Sequence, residues 1–299
     1  MNTNKVLIPI IMGLVVLVSG CGGGGSSAGG GISYDGNTSP AGIDATNAEL
    51  IGKAAGESIQ VADGTTQLPV GISGTSTDLT PLNTVFVNAA ISSLETSPNL
   101  PAGITQDISY LCSSGSASVS YTSNATSGPL SATETFNNCV LLDAPAIKVS
   151  GRVEVYFSDI SDPFGTGFTF TYSNFTMTDS VNATTFTLNV SMDCPAGLYS
   201  LCVIAADFSG SDGTVHRVAN FSIYGDSVFG YDGTATFYHG TYGEVSITAT
   251  AITYGSCGAY PDGGTVDLNS TDGSSASVIF NSDCTTSGTW TNATGSGSF

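Results

Sequence analysis

From Asp107 onward apolar and polar residues alternate with a period of two. Phe168, Phe170 and Tyr172 are separated by Thr, and Phe186, Leu188, Val190 and Met192 by Thr, Asn and Ser. Val245, Ile247, Ala249 and Ala251 follow the same rule, as do Ala117, Val119 and Tyr121, and Ala276, Val278 and Phe280. One apolar face and one hydroxyl face is the pattern of antiparallel strands half exposed to water. Turn signals punctuate the runs: Ser161-Asp162-Pro163, Ser211-Asp212-Gly213, Tyr231-Asp232-Gly233, Pro261-Asp262-Gly263-Gly264 and Thr271-Asp272-Gly273. The pattern predicts a mainly β domain over 107–299, an antiparallel sandwich or (half-)barrel of about ten to twelve strands.

Before Asp107 the period is helical. Thr46-Asn47-Ala48-Glu49 reads as a capping box, and Leu50, Ile51, Ala54, Ala55 and Ile59 follow on one stripe. This predicts a helix over 46–60, weakened by about 1 kcal/mol at each of Gly52 and Gly56. A second helix opens at Thr80-Pro81, with Leu82, Val85, Phe86, Ala89 and Leu94 on its stripe, and stops at Pro98 and Pro101. Residues 45–106 are therefore expected to form a two-helix segment ahead of the sheet.

Composition narrows the class. The 299 residues hold 5 Lys+Arg against 24 Asp+Glu, a net charge of −19, with 38 Gly and 2 His. Nucleic acid is excluded as a partner, because nothing here could neutralise a run of phosphates. With 40% hydrophobic and 9% aromatic residues, the chain has the material for a core.

The first residues carry an address. Lys5 precedes an apolar run from Val6 to Val18, interrupted by Pro9 and Gly13 and too short to span a bilayer comfortably. This is the pattern of a secretory signal. The run ends Leu17-Val18-Ser19-Gly20-Cys21 and is followed by GGGGSSAGGG over 22–31. The segment resembles the lipobox of bacterial lipoproteins. That resemblance implies cleavage of residues 1–20 and a diacylglycerol on the sulfur of Cys21. It also implies an outer-membrane destination, since the residue after Cys21 is Gly22 and not Asp. Residues 21–44 then form a lipidated tether, its Gly/Ser part flexible. The cleaved chain has 4 basic and 24 acidic residues, so the lipid anchors it without help from a basic patch.

With Cys21 assigned to lipid, Cys112, Cys139, Cys194, Cys202, Cys257 and Cys284 remain. An even set in an exported protein reads as disulfides. The favoured pairs are Cys112–Cys139, Cys194–Cys202 and Cys257–Cys284, because each flanks a plausible hairpin. The first and third have the same separation and sit in a weak internal repeat: cysteine, hairpin, strand, Phe-Asn, cysteine.

Catalytic signatures are missing. His216 and His239 lie in strand-like segments, away from any cysteine at metal-ligand spacing. The GxSxG at Gly25–Gly29 lies in the tether and forms no nucleophile elbow. The aspartates sit in turns, where they cap local backbone. No cofactor, metal or catalytic residue is expected. The leading expectation is an outer-membrane-anchored, non-enzymatic structural or interaction module, facing the periplasm or the cell surface, with an envelope protein or polysaccharide as partner. Alternatives are a carrier of an apolar small molecule or lipid, an integral outer-membrane barrel and a polysaccharide-active enzyme.

Overall fold

The computed structural model describes residues 32–66, 86, 89, 92, 103, 105–122, 127–142, 147–162, 166–179, 184–195, 203–226, 229–254, 257 and 260–299. The chain divides into units of residues 1–30 and 31–299, and all described residues belong to the second. Helix α1 (Ala48–Thr66) is followed by fourteen strands: β1 (Thr105–Asp107), β2 (Cys112–Tyr121), β3 (Leu130–Leu141), β4 (Ile147–Phe157), β5 (Phe168–Asp179), β6 (Thr184–Cys194) and β7 (Val203–Ser209), then β8 (Val215–Asp226), β9 (Gly230–His239), β10 (Gly243–Thr253), β11 (Gly263–Asn269), β12 (Ser275–Phe280), β13 (Thr286–Asn292) and β14 (Gly295–Ser298).

All fourteen belong to one open antiparallel sheet in sequence order, β1 at one edge and β14 at the other. The mainly β class stands. The expected ten to twelve strands in a sandwich or (half-)barrel give way to fourteen in a single sheet. The undercount has a local cause: Thr105–Asp107, Thr286–Asn292 and Gly295–Ser298 hold few apolar residues and show no alternation. Tyr231-Asp232-Gly233, expected as a turn, lies inside β9. The second expected helix, over residues 80–97, falls almost wholly outside the described residues; Phe86, Ala89 and Ser92 within it are helical.

The alternation fails where the sheet bulges. Asn138, Asn174, Asn220 and Ala251 have φ of 47°, 50°, 53° and 51°. They sit where the register shifts between Phe136 and Cys139, Tyr172 and Phe175, Ala219 and Ser222, and Ala249 and Ile252. Each bulge bends its strand and returns the next apolar side chain to the inner face. Asn tolerates the left-handed conformation better than most residues. At Ala251 the amide N–H is held by Asp232 Oδ1 at 2.7 Å, which explains an Asp in mid-strand.

Helix α1 packs across β7 to β13 on the inner face. Ile51, Ala54, Ala55 and Ile59 are buried, whereas Leu50, expected on the same stripe, is 46% exposed. The expected helix began two residues early and stopped six short. The capping box does not form: Thr46 Oγ1 donates to Asp44 Oδ1 at 2.6 Å, and Glu49 is drawn to Lys53 at 2.7 Å and Thr286 at 2.7 Å. The two glycines that weaken the helix let it seat. A Cβ on Gly52 would lie 2.2 Å from Val278 Cγ2, and one on Gly56 2.8 Å from Phe280 Cζ. Gly52→Val is therefore expected to cost about 2–3 kcal/mol by overpacking, read as a lowered urea midpoint. Gly52→Ala is expected to cost less.

Residues 32–43 form a strap that runs along the strand ends and turns before entering α1. Asn189 on β6 donates to Ile32 O. Tyr34 N–H donates to Asp207 Oδ2 on β7 at 3.0 Å, and Arg217 on β8 lies 5.1 Å over the Tyr34 ring while gripping Asp207 at 2.6 and 2.9 Å. Asn37 N–H donates to Gly240 O at 3.1 Å, and Ala41 and Ser39 pair with Glu244 on β10. Ile43 then binds Ser274 Oγ at 2.9 Å through its N–H, and Asn292 Nδ2 at 2.9 Å through its carbonyl.

Candidate functional site

Among the described residues, one cluster combines groups of the kinds that hold metals or move protons: Asp212, His216 and His239, whose ligand atoms all lie within 4.8 Å of one another. Three local choices build it. Asp212 sits in the tight turn between β7 and β8 and accepts the Thr214 N–H at 2.9 Å and the Thr214 hydroxyl at 2.8 Å. His216 takes an inward position at the start of β8, and His239 ends β9. Antiparallel pairing of these strands brings the two rings edge to face, with centroids 4.5 Å apart and an interplanar angle of 61°, and the residues are 0% and 2% exposed.

Three of the four ring nitrogens are hydrogen-bonded, and the fourth, His239 Nε2, lies near Asp212. His216 Nε2 faces Asp212 Oδ1 at 3.1 Å, and His239 Nε2 faces Asp212 Oδ2 at 3.5 Å. On the far sides, Gly240 N–H donates to His216 Nδ1 and Thr241 N–H donates to His239 Nδ1, both at 3.2 Å. A nitrogen that accepts an amide proton carries none of its own, so each neutral ring holds its proton on Nε2. Burial lowers the pKa of His216 against the pull of Asp212. Burial, with His216 adding to it, brings His239 down to about 4. Burial would raise Asp212, but the Thr214 hydrogen bonds and the neighbouring imidazoles outweigh it and hold the carboxyl below its ordinary value.

This arrangement does not suit a metal. Nε2 ligation needs two lone pairs facing the ion and Nδ1–H groups donating outward; here the cluster faces inward with two N–H groups and its Nδ1 atoms accept. Nor is it a hydrolytic triad, in which the nucleophile and the carboxylate occupy opposite nitrogens of one imidazole. Thr214 Oγ1, at 3.0 Å, and Asp212 share Nε2 of His216. What the geometry does is hold the turn between β9 and β10 in place. That turn receives the strap: Tyr34 OH lies 3.3 Å from His239 O, and Asn37 binds Gly240 O. Glu57 of α1, 2% exposed, joins the neighbouring turn by accepting the Ser211 N–H at 3.0 Å and the Ser211 hydroxyl; burial raises its pKa and these bonds oppose the rise.

Six aspartates follow the turn-capping expectation, whereas Asp232 lies within β9 and Asp207 within β7. Asp44, Asp107, Asp159, Asp212, Asp272 and Asp283 each accept the N–H of the residue two further on, always Ser or Thr. Asn292 does the same to Thr294, so its Asn-x-Thr triplet is a turn device.

Of the predicted site residues, Cys112–Cys139 and Cys257–Cys284 are disulfides, each with Cα atoms 5.2 Å apart. Cys194 is disulfide-bonded; its expected partner Cys202 lies outside the described residues, as does Cys21. The histidine cluster was missed as a unit because His239 joins Asp212 and His216 only through pairing of β8 with β9. Comparison with protein-family models, curated proteins and solved structures finds no match for this chain.

Proposed function

We propose that this protein is a lipoprotein of the outer membrane, anchored through an acylated Cys21, whose β domain is a non-enzymatic structural or interaction module of the cell envelope. The observation that carries this reading is the strap. The residues that follow the Gly/Ser tether are tied to β6, β7, β10 and β13 and to the turns that follow β9 and β11, so a pull at the N-terminus meets several strands rather than peeling one. The histidines are occupied in holding the turn beneath that strap, which leaves them no part in turnover. A partner, an envelope protein or polysaccharide, meets the hydroxyl-rich outer face.

The test is metabolic labelling with an alkyne-bearing palmitate in a bacterium that processes lipoproteins. The wild-type chain is expected to be labelled and to fractionate with the outer membrane, and Cys21→Ala to lose both. An unlabelled wild-type chain refutes the anchor. Cross-linked envelopes that yield no partner refute the interaction role. A second reading, a carrier of an apolar small molecule or lipid, draws its support from one buried carboxyl on β3.

A further inference from the structure

Glu134 is 0% exposed, and neither carboxyl oxygen has a hydrogen-bond partner among the described residues. The Nε2 of Gln106 is likewise buried without a partner. The two belong to one cross-strand row on the inner face: Gln106 pairs with Val119, Val119 with Glu134, Glu134 with Val153, and Val153 with Tyr172. Two strand spacings, about 9–10 Å, separate the backbones of Gln106 and Glu134. Tyr172, at the end of the row, and Phe136 and Phe175 beside it form a ring cluster with Phe86, with centroids 5.0 to 6.2 Å apart.

Native proteins rarely bury polar atoms unpaired, because each forfeits its bonds to water. A leucine at 134 would fit the alternation Leu130, Ala132, Phe136 and avoid that cost. Burial pushes the Glu134 carboxyl well above the ordinary carboxylate range, so it is held as a neutral acid offering one O–H donor and acceptor lone pairs. The Gln106 amide, half-buried on the three-residue edge strand β1, adds N–H donors nearer the sheet edge. An ionic ligand would lose its hydration in this apolar setting, which favours an uncharged one.

We propose that Glu134 and Gln106 form the polar end of a binding site for an uncharged amphiphile, its hydrogen-bonding head between the two side chains and its apolar part against Phe136, Tyr172 and Phe175. The ligand enters past β1. An amide head suits the acid best: its carbonyl accepts the Glu134 O–H while its N–H donates to the Glu134 carbonyl. The inference rests on the carrier reading and assigns its site.

Thermal unfolding of the purified full-length chain in detergent, with decanamide or methyl decanoate added, tests it. The two probes share a tail, but only the amide can donate. Saturating decanamide is expected to raise the wild-type Tm by about 5 °C. Methyl decanoate is expected to raise it by less than half as much. Glu134→Gln keeps the preference, and Glu134→Leu abolishes it while folding at least as stably as the wild type. Equal shifts by both probes in wild type and Glu134→Leu overturn the Glu134 site and leave a carrier standing. No shift with either probe overturns both. A Glu134→Gln chain too unstable to read leaves the Leu comparison to decide.

Discussion

Between pH 6.5 and pH 4 the domain is expected to lose on the order of 3 kcal/mol of stability from His239 alone. An imidazole in the unfolded chain takes a proton near pH 6.5, whereas folded His239 waits until about pH 4. The unfolded state therefore binds more protons across that window, and stability falls as the pH falls. The contribution is complete above pH 6.5 and exhausted below about pH 4. His216, also lowered, adds in the same direction. The first cause is burial, which penalises a charged ring, and the hydrogen bonds act the same way: a second proton on either ring must go to Nδ1, against the N–H of Gly240 or Thr241. Glu57 and Glu134 are raised, so what they contribute is present in acid and lost as the pH rises; they oppose this slope. The turn aspartates are lowered from an ordinary value of 3.8, and their losses begin below the histidine window. Urea midpoints followed by Trp290 fluorescence from pH 7 to 4 measure the effect. His239→Asn, whose Oδ1 can accept the Thr241 N–H, is expected to flatten the slope. An unchanged slope would remove the histidine explanation.

Opening the Cys257–Cys284 bridge by Cys→Ser at both positions is expected to cost about 3–4 kcal/mol, the chain-entropy value for a loop of 27 residues. Cys112–Cys139 closes a loop of the same length and should cost about as much. The two differ in what loosens. Cys257 lies in the loop between β10 and β11, which also holds Pro261 against Gly56 of α1. Its loss is expected to raise hydrogen exchange in α1 as well as in the loop. Cys139 follows the Asn138 bulge, and its loss should loosen β2 and β3 and leave α1 protected. Equal exchange patterns in the two variants would contradict this division.

The strands were legible wherever a half-buried face imposes its period. They were illegible where that constraint lapses: in Gly295–Ser298, which presents little to bury, and at Asn174 and Asn220, where an extra residue breaks the count. Both bulges leave a trace, an Asn directly before Phe175 or Phe221 within an alternating run. Gly52 and Gly56 were readable as helix-weakening residues, but only the position of Val278 and Phe280 explains them. The histidine cluster had only a partial local trace, Asp212 four residues before His216; His239 is 23 positions further on and joins them only through strand pairing. Glu134 had one too: in Leu130-Ser-Ala-Thr-Glu134-Thr-Phe136 the acid falls on the inward phase.

The sequential order of the strands has a consequence for how the molecule forms. Every sheet pairing joins neighbours along the chain, so the sheet can grow hairpin by hairpin at low loop-closure cost. Helix α1 and the strap are the exception. They are made before any strand, yet their seats lie as far away as Val278 and Asn292. During vectorial synthesis this early segment must wait for nearly the last strands before it can dock. Its docking is expected as a late kinetic phase, slowed by Gly52→Val, while the early growth of strand signal is left unchanged.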